Sequence, residues 1–378
     1  METTPLHFAV ISYRDIRHPE FGGAEVILYE IFRRLARLGH RVSFITGHWR
    51  GAPREEEIDG LRIHRTGSAY SFNLRAPLAL RRLMAREPVD LVVEDVNKIP
   101  FFTPLWQRRA PVLAVVPHLF GTTVFQQAPF PLALYVYAYE RFIPRVYRGC
   151  RFSVLSESTR DDLVRRGLPA EKLHVIRAGI DHEYYRLDGP RTRPPAPVIL
   201  YLGRIKKYKR IDLVIRAMPA ILARVADAEY WIVGEGDHRP ALERLVAQMG
   251  LRDHVRFLGF QAGAEKRATL YRTRVLVYTS PKEGWGLSVI EANALGIPCV
   301  ASRSPGLRES VRDGETGFLV GHGDVPALAA ATLRLLEDND LWWRMGSAAA
   351  AWAGEYRWER STGETLELAR AIRAEWKD

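Results

Sequence analysis

Apolar residues along this chain fall into two patterns that take turns. Short unbroken runs, the mark of strands buried on both faces, alternate with longer stretches in which apolar positions recur at helical spacing. The runs at residues 6–12 (LHFAVIS), 41–46, 60–67, 89–96, 111–118, 151–158 and 172–181 predict strands. The first is followed by a glycine pair and then AEVILYEIFRRLARLG, where Leu28, Ile31, Leu35 and Leu38 form one predicted buried face. A later helix, STRDDLVRRG, has Ser158 or Thr159 as its expected cap.

The alternation stops at residues 186–197, RLDGPRTRPPAP, and then starts again. Strands are predicted at 197–204, 228–236, 255–260, 275–280 and 297–302, with helices between them. From Val325 onward the pattern is helical throughout. Two such series predict two doubly wound α/β domains. Residues 1–186 form the first, 187–197 a proline-rich linker and 198–357 the second, with a last helix near 358–378.

At 378 residues the chain is too long for one ordinary core, which agrees with two domains. Its formal net charge of +11 calls for an anionic partner, without choosing among phosphorylated substrate, acidic lipid and nucleic acid. Cys150 and Cys299 lie in apolar surroundings, which argues against a disulfide scaffold and fits a reducing, cytoplasmic compartment. The amino terminus lacks the basic and apolar regions of a signal peptide, and residues 130–147 are too interrupted by charge to span a membrane. Asp338-Asn339-Asp340 reads as a turn and helix cap rather than a metal site, and no metal ligand is expected.

The densest chemistry lies in residues 280–302, SPKEGWGLSVIEANALGIPCVAS. Glu283 falls in the loop after a predicted strand, Glu291 beyond the first turn of the next helix, and Gly284 and Gly286 precede that helix. Ligands of open parallel sheets sit where strands end and helices begin, and a helix start favours phosphate. Carboxylates do not bind phosphate, so acidic groups on either side of that start point to sugar hydroxyls. The arrangement suits a nucleotide sugar, with ribose at Glu291, diphosphate at the helix start and the transferred sugar at Glu283. Arg204 and Lys209, in GRIKKYKRID, add cations for a diphosphate. Gly203, Gly234, Glu235, Gly259 and Phe260 mark strand ends on the same predicted rim, where glycine would let a base or ribose lie against backbone. In the first domain, Gly23 opens a helix after a strand and His118 ends one. Apart from Tyr208 the basic loop lacks interleaved stacking aromatics, which argues against nucleic acid.

These blocks, in order, resemble the retaining nucleotide-sugar glycosyltransferases of glycosyltransferase family four, also called group 1. The likeness is strongest from Val198 to Phe318 and weaker through FGGAEV, PHLFG and GIDHEYY. It implies the GT-B fold: two Rossmann-like domains facing across a cleft, with the C-terminal helix crossing back to the first. It also implies ribose at Glu291, diphosphate at Arg204 and Lys209, the transferred sugar at Glu283 and the backbone of Gly284, Trp285, Gly286 and Leu287, and donor binding at Ser288. Gly23 would approach the phosphates and His118 would lie beside the reacting sugar. The implied activity moves a hexosyl unit from a UDP- or GDP-sugar to an acceptor hydroxyl by a front-face route that requires no cofactor. The acceptor could be a glycan, a lipid-linked or a small molecule. The aromatic and basic stretches KIPFFTPLWQRR and FPLALYVYAYERFIPRVYR suit either an anionic membrane surface or buried helices. The alternative readings are a GT-B epimerase or phosphorylase, or a basic nucleic-acid-binding protein.

Overall fold

A computed structural model describes residues 4–97, 99–126, 129–186, 189 and 191–377. The chain divides into two compact units, residues 1–179 with 358–378, and residues 180–357. Among the described residues no helix is long and apolar enough to cross a membrane.

The first unit is built on eight strands: β1 (His7–Ile11), β2 (Arg41–Gly47), β3 (Glu55–Ile58), β4 (Leu61–Thr66), β5 (Leu91–Asp95), β6 (Val112–Val116), β7 (Arg151–Val154) and β8 (Leu173–Val175). Their order is β3-β4-β2-β1-β5-β6-β7-β8, all parallel except for antiparallel β3 at the edge. Every residue of β1 is buried, as expected of a central strand with helices on both faces. β3, EEEI, has no apolar run to announce it; it is a hairpin partner held by register with β4.

The helix Gly23–Arg37 buries Ile27, Leu28, Ile31, Phe32 and Leu35 against the sheet, with Phe32 edge-on to both Phe8 and Phe44. Leu38, expected on that face, is instead 65% exposed. The helix ends one residue before it, and Gly39 at φ +88° turns the chain away. The helix Glu157–Arg165 begins before the expected caps, because the hydroxyl of Ser156 already accepts from the Thr159 amide at 3.2 Å. The last helix, Trp358–Lys377, returns to this unit. There Ser361 donates to the Arg177 carbonyl at 2.6 Å, Arg373 pairs with Asp90 at 2.8 Å and Glu359 with Arg34 at 3.1 Å.

The second unit holds β9 (Val198–Leu202), β10 (Glu229–Val233), β11 (Val255–Gly259), β12 (Val275–Tyr278), β13 (Cys299–Ser302) and β14 (Gly317–Val320). All are parallel, in the order β11-β10-β9-β12-β13-β14, so the winding reverses between β9 and β12. β14 is too short, and too close to its opening glycine, to stand out as an apolar run.

The boundary lies before the proline-rich stretch, not within it. Ile180 forms a parallel bridge with Arg357, and the segment that follows belongs to the second unit. Leu187, Asp188 and Pro190 of the expected linker lie outside the described residues. Of the remainder, Arg191 donates to the Gly296 carbonyl at 2.5 Å and to the Trp343 carbonyl at 3.2 Å, and its guanidinium lies 4.1 Å from the Trp342 ring centre. Burial brings its pKa down to about 10. Arg193 donates to the Leu336 carbonyl. Charges that look solvated in the sequence thus anchor the stretch as a strap. Asp338 is the cap expected, accepting from the Leu341 amide at 2.9 Å.

Candidate active site

The carboxyl ends of β9 and β12 are neighbours at the reversal of the second sheet, the position where open α/β sheets form a crevice. The β9 exit loop carries Gly203, Arg204 and Lys209, and the β12 exit loop carries Glu283 to Gly286. The two loops are bonded to each other. Thr279, just after β12, donates to the carbonyls of Arg210 at 2.7 Å and Lys209 at 3.1 Å.

Lys209 is buried, its ammonium 5.0 Å from the ring centre of Tyr208 and 5.3 Å from that of Tyr278. It donates to Glu283 Oε1 at 2.5 Å. Burial alone would lower its pKa, but the Glu283 carboxylate and the tyrosines outweigh it and hold the ammonium charged, above the usual lysine range. Two residues assigned to neighbouring parts of a ligand are thus one ion pair. Arg204, on the same β9 exit loop as Lys209, is exposed.

The loop carrying Glu283 is braced from β13. The Glu283 amide donates to the Pro305 carbonyl at 3.0 Å, and Ser304 donates to the Ser280 carbonyl at 2.7 Å. Gly306 adopts φ +81°, and a Cβ there would lie 2.3 Å from the Glu283 carbonyl oxygen. Trp285 is 2% exposed and packs edge-on against Tyr356, so its indole faces the core. Only its backbone remains for the expected sugar contact. Gly286, at φ +97°, caps the helix Leu287–Ala294, which begins at Leu287 and Ser288 with no side-chain cap. No capping side chain therefore competes with an anion for the amides of Leu287 and Ser288.

Glu291 lies within that helix and accepts from Lys266 Nζ at 2.9 Å. The same ammonium donates to the Tyr185 hydroxyl at 2.7 Å. Neither partner of Glu291 was singled out in the sequence. Lys266 sits in a polar helix, Gly263–Tyr271, that reads as solvated, and Tyr185 precedes the proline-rich stretch.

A Cβ on Gly234, at φ +130°, would lie 2.0 Å from the Gly203 carbonyl oxygen, so the Cβ side of this glycine is filled by the β9 exit loop. Glu235 is exposed and paired with Arg239 at 2.9 Å. Gly259 ends β11 in the left-handed region, and Phe260 beyond it projects into solvent.

In the first unit, Gly23 opens its helix with open space around the Cα, and Glu25 takes the Gly22 amide at 2.8 Å. His118 follows β6 and lies edge-on to Phe120 at 5.2 Å. The loop is fixed from outside it. The buried carboxylate of Glu140 accepts from the amides of Phe120 at 2.7 Å and Gly121 at 2.9 Å, and Thr159 donates to the Pro117 carbonyl at 3.3 Å. Glu140 had read only as a charge interrupting an apolar run.

Comparisons with known proteins follow the same division. A family model described as Glycosyltransferase Family 4 matches residues 21–184, and one described as Glycosyl transferases group 1 matches residues 189–352. The chain is 30% identical over 378 residues to a GDP-mannose-dependent alpha-(1-6)-phosphatidylinositol monomannoside mannosyltransferase of Mycobacterium tuberculosis, covering 93% of this chain and 95% of that one. It is also 30% identical to the alpha-D-kanosaminyltransferase of Streptomyces kanamyceticus, over 61% of each. The crystal structure of Anabaena Alr3699/HepE in complex with UDP-glucose superposes with a TM-score of 0.77 at 18% identity, covering 97% of this chain and all of that one.

Proposed function

The chain belongs to the group 1 glycosyltransferases, glycosyltransferase family 4, with the GT-B architecture of two Rossmann-like units. From that premise we propose that it transfers a hexosyl unit from a UDP- or GDP-sugar to an acceptor hydroxyl with retention of configuration. The observation that carries this reading is the Lys209–Glu283 pair at the reversal of the second sheet, beside a helix that starts uncapped and holds Glu291.

Glu283, oriented by Lys209, accepts hydrogen bonds from the transferred sugar. The remaining protons of the Lys209 ammonium, the Arg204 guanidinium and the amides at Leu287 and Ser288 receive the diphosphate, and Glu291 receives the ribose. In the proposed front-face step the acceptor oxygen bonds to the anomeric carbon as the bond to the diphosphate oxygen breaks. The departing oxygen takes the acceptor proton. These cations stabilise the charge that develops on the leaving group, without a metal in that role.

The acceptor we assign is a glycan or glycolipid presented at an anionic bilayer, with the protein peripheral on its cytoplasmic face. Support comes from the helix Phe130–Glu140, where Phe130 is 69% exposed and Leu132, Leu134 and Tyr135 also face solvent, next to exposed Phe142, Arg141 and Arg145. The mannosyltransferase relative carries a phosphatidylinositol acceptor in its name.

A thermal-melt series with UDP, GDP and ADP, each with magnesium and with chelator, tests the donor reading. A ligand at a hundred times its dissociation constant stabilises by about 2.7 kcal/mol. One nucleotide should raise the melt in chelator as well as in magnesium. A folded sample that responds to none of them, nor to UDP- and GDP-sugars, would overturn the reading.

A further inference from the structure

A carboxylate that recognises a ribose must offer lone pairs to two adjacent hydroxyls, so its plane has to be set before the ligand arrives. A glutamate side chain does not set its own plane, because its terminal torsion is broad. The surroundings of Glu291 do so. Lys266 Nζ donates to Glu291 Oε2 at 2.9 Å and to the Tyr185 hydroxyl at 2.7 Å. The Lys266 ammonium thus bridges the carboxylate and the tyrosine. Since the lysine has only donors, the Tyr185 oxygen accepts from it. Burial, and then the neighbouring Glu291 charge, push the tyrosine pKa far up, so the hydroxyl stays neutral at any working pH.

This bridge is held at both of its supports. Tyr184, adjacent to Tyr185, donates to the Gly263 carbonyl at 2.5 Å, at the start of the helix that carries Lys266. Asp181 accepts from the amides of Glu183 and Tyr184, and the His182 imidazole bonds the Tyr356 carbonyl at 2.9 Å. The segment bearing the tyrosines is therefore fixed to the second unit on both sides.

We propose that Lys266, seated by Tyr185, is the positioning residue for the ribose-binding carboxylate of Glu291, setting its plane and offsetting its charge beside the diphosphate. The proposal rests on the nucleotide-sugar reading above and names what determines its selectivity for ribose. Lys266 acts through Glu291 and is assigned no contact with the donor. Its charge matters because an unbalanced carboxylate at that place would repel the diphosphate.

The test is calorimetric titration of UDP and GDP, each against its 2′-deoxy counterpart, into the wild-type chain and the variants Glu291→Gln, Lys266→Met and Tyr185→Phe. A hydroxyl bonded to an ionised carboxylate should give the wild type a preference of about tenfold or more for the ribonucleotide. Glu291→Gln should reduce that preference. Lys266→Met and Tyr185→Phe should bring it to within about threefold of parity, although neither substitution touches the carboxylate itself. Near-ultraviolet circular dichroism establishes that each variant is folded. If Lys266→Met does not fold, Tyr185→Phe decides, since it removes a single oxygen from an otherwise unchanged ring. A folded Lys266→Met or Tyr185→Phe that keeps the wild-type preference overturns the proposal. A wild type that binds nucleotide without preferring ribose overturns the Glu291 assignment and the proposal together, whereas one that binds neither nucleotide overturns the donor reading itself.

Discussion

The ammonium of Lys209 and the carboxylate of Glu283 meet at 2.5 Å where the second sheet reverses its winding. Each comes from the exit loop of a different strand, so the pair ties the two sides of the crevice together as well as presenting charge to it. Removing one member of a buried ion pair leaves the other uncompensated and costs up to about 3–5 kcal/mol. Lys209→Met and Glu283→Gln should each lower stability in urea unfolding, and the double variant should lose clearly less than the sum. Strict additivity would mean that the two groups do not depend on each other. Turnover should fall severely in all three variants, because both the sugar and the diphosphate lose a partner.

The two glutamates should separate by ligand. Glu291 is assigned to the ribose and Glu283 to the transferred sugar, so Glu291→Gln should weaken binding of free UDP or GDP by about tenfold, and Glu283→Gln far less. With the intact nucleotide sugar both variants should bind poorly. The opposite order with the free nucleotide would exchange the two assignments.

Gly306 offers a test of the brace behind Glu283. Its φ of +81° is costly for any side chain, and a Cβ would lie 2.3 Å from the Glu283 carbonyl oxygen. Gly306→Ala should cost about 1–3 kcal/mol and displace the loop. Turnover should drop by more than the binding of free nucleotide does, since Glu291 is held separately by Lys266 and Tyr185. Equal losses in both would show that the loop is not selectively disturbed.

The fold was legible wherever an apolar run coincided with a strand buried on both faces, which is why β1, β9 and β12 could be placed from sequence. It was not legible where register or distant partners decide. β3 is all but one glutamate, and exists because β4 is beside it. Arg191 and Arg193 look like solvated linker charges, and become anchors only when the carbonyls of Gly296 and Leu336 arrive from far along the chain. The positions of Glu283 and Glu291 followed from the strand-loop-helix pattern around them. The sequence shows the charge of Lys209 but not its partner, and Lys266, a cation on a polar helix, carries no local sign of the half-buried carboxylate that it meets. A missing side chain marks close approach without saying of what, and at Gly234 it is the backbone of Gly203.

The exposed apolar face of the helix Phe130–Glu140 should bind bilayers that carry acidic lipid. Inserting one aromatic or leucine side chain contributes about 1.5–3 kcal/mol, and each arginine near an anionic surface about 1 kcal/mol. Sedimentation with phosphatidylglycerol vesicles should bring the chain down at low salt, and less so at high salt. Phe130→Ser with Leu134→Ser should weaken this by more than tenfold, and Arg141→Glu with Arg145→Glu should remove most of the salt dependence. A wild type that stays in the supernatant with acidic vesicles would dispose of the bilayer assignment and leave the donor assignment untouched.

Stability should fall as the solution is acidified from pH 7 to pH 5, and buried histidines give the sign. His7 is fully buried; its Nε2 accepts from Arg62 at 3.1 Å, so Nδ1 carries the proton it donates to the Pro88 carbonyl at 2.8 Å. The Nδ1 of His40 accepts from the Leu6 amide at 3.0 Å. Both imidazoles are neutral in these arrangements, and burial, the first cause in each case, lowers their pKa from 6.5. A depressed folded pKa means that the unfolded chain takes up more protons below pH 6.5, so the stability these residues contribute is present above that pH and is lost as it falls. The slope reaches at most about 1.4 kcal/mol per pH unit for each histidine. Burial raises the pKa of Glu94, which acts in the opposite direction, so the comparison has to be made between variants rather than on the wild type alone. His40→Asn keeps an acceptor for the Leu6 amide and removes the titrating ring. Its unfolding free energy, measured in urea at half-unit steps, should fall less steeply than that of the wild type between pH 7 and pH 5, by up to one proton. Parallel slopes would mean that His40 carries the same charge in the folded and unfolded chain.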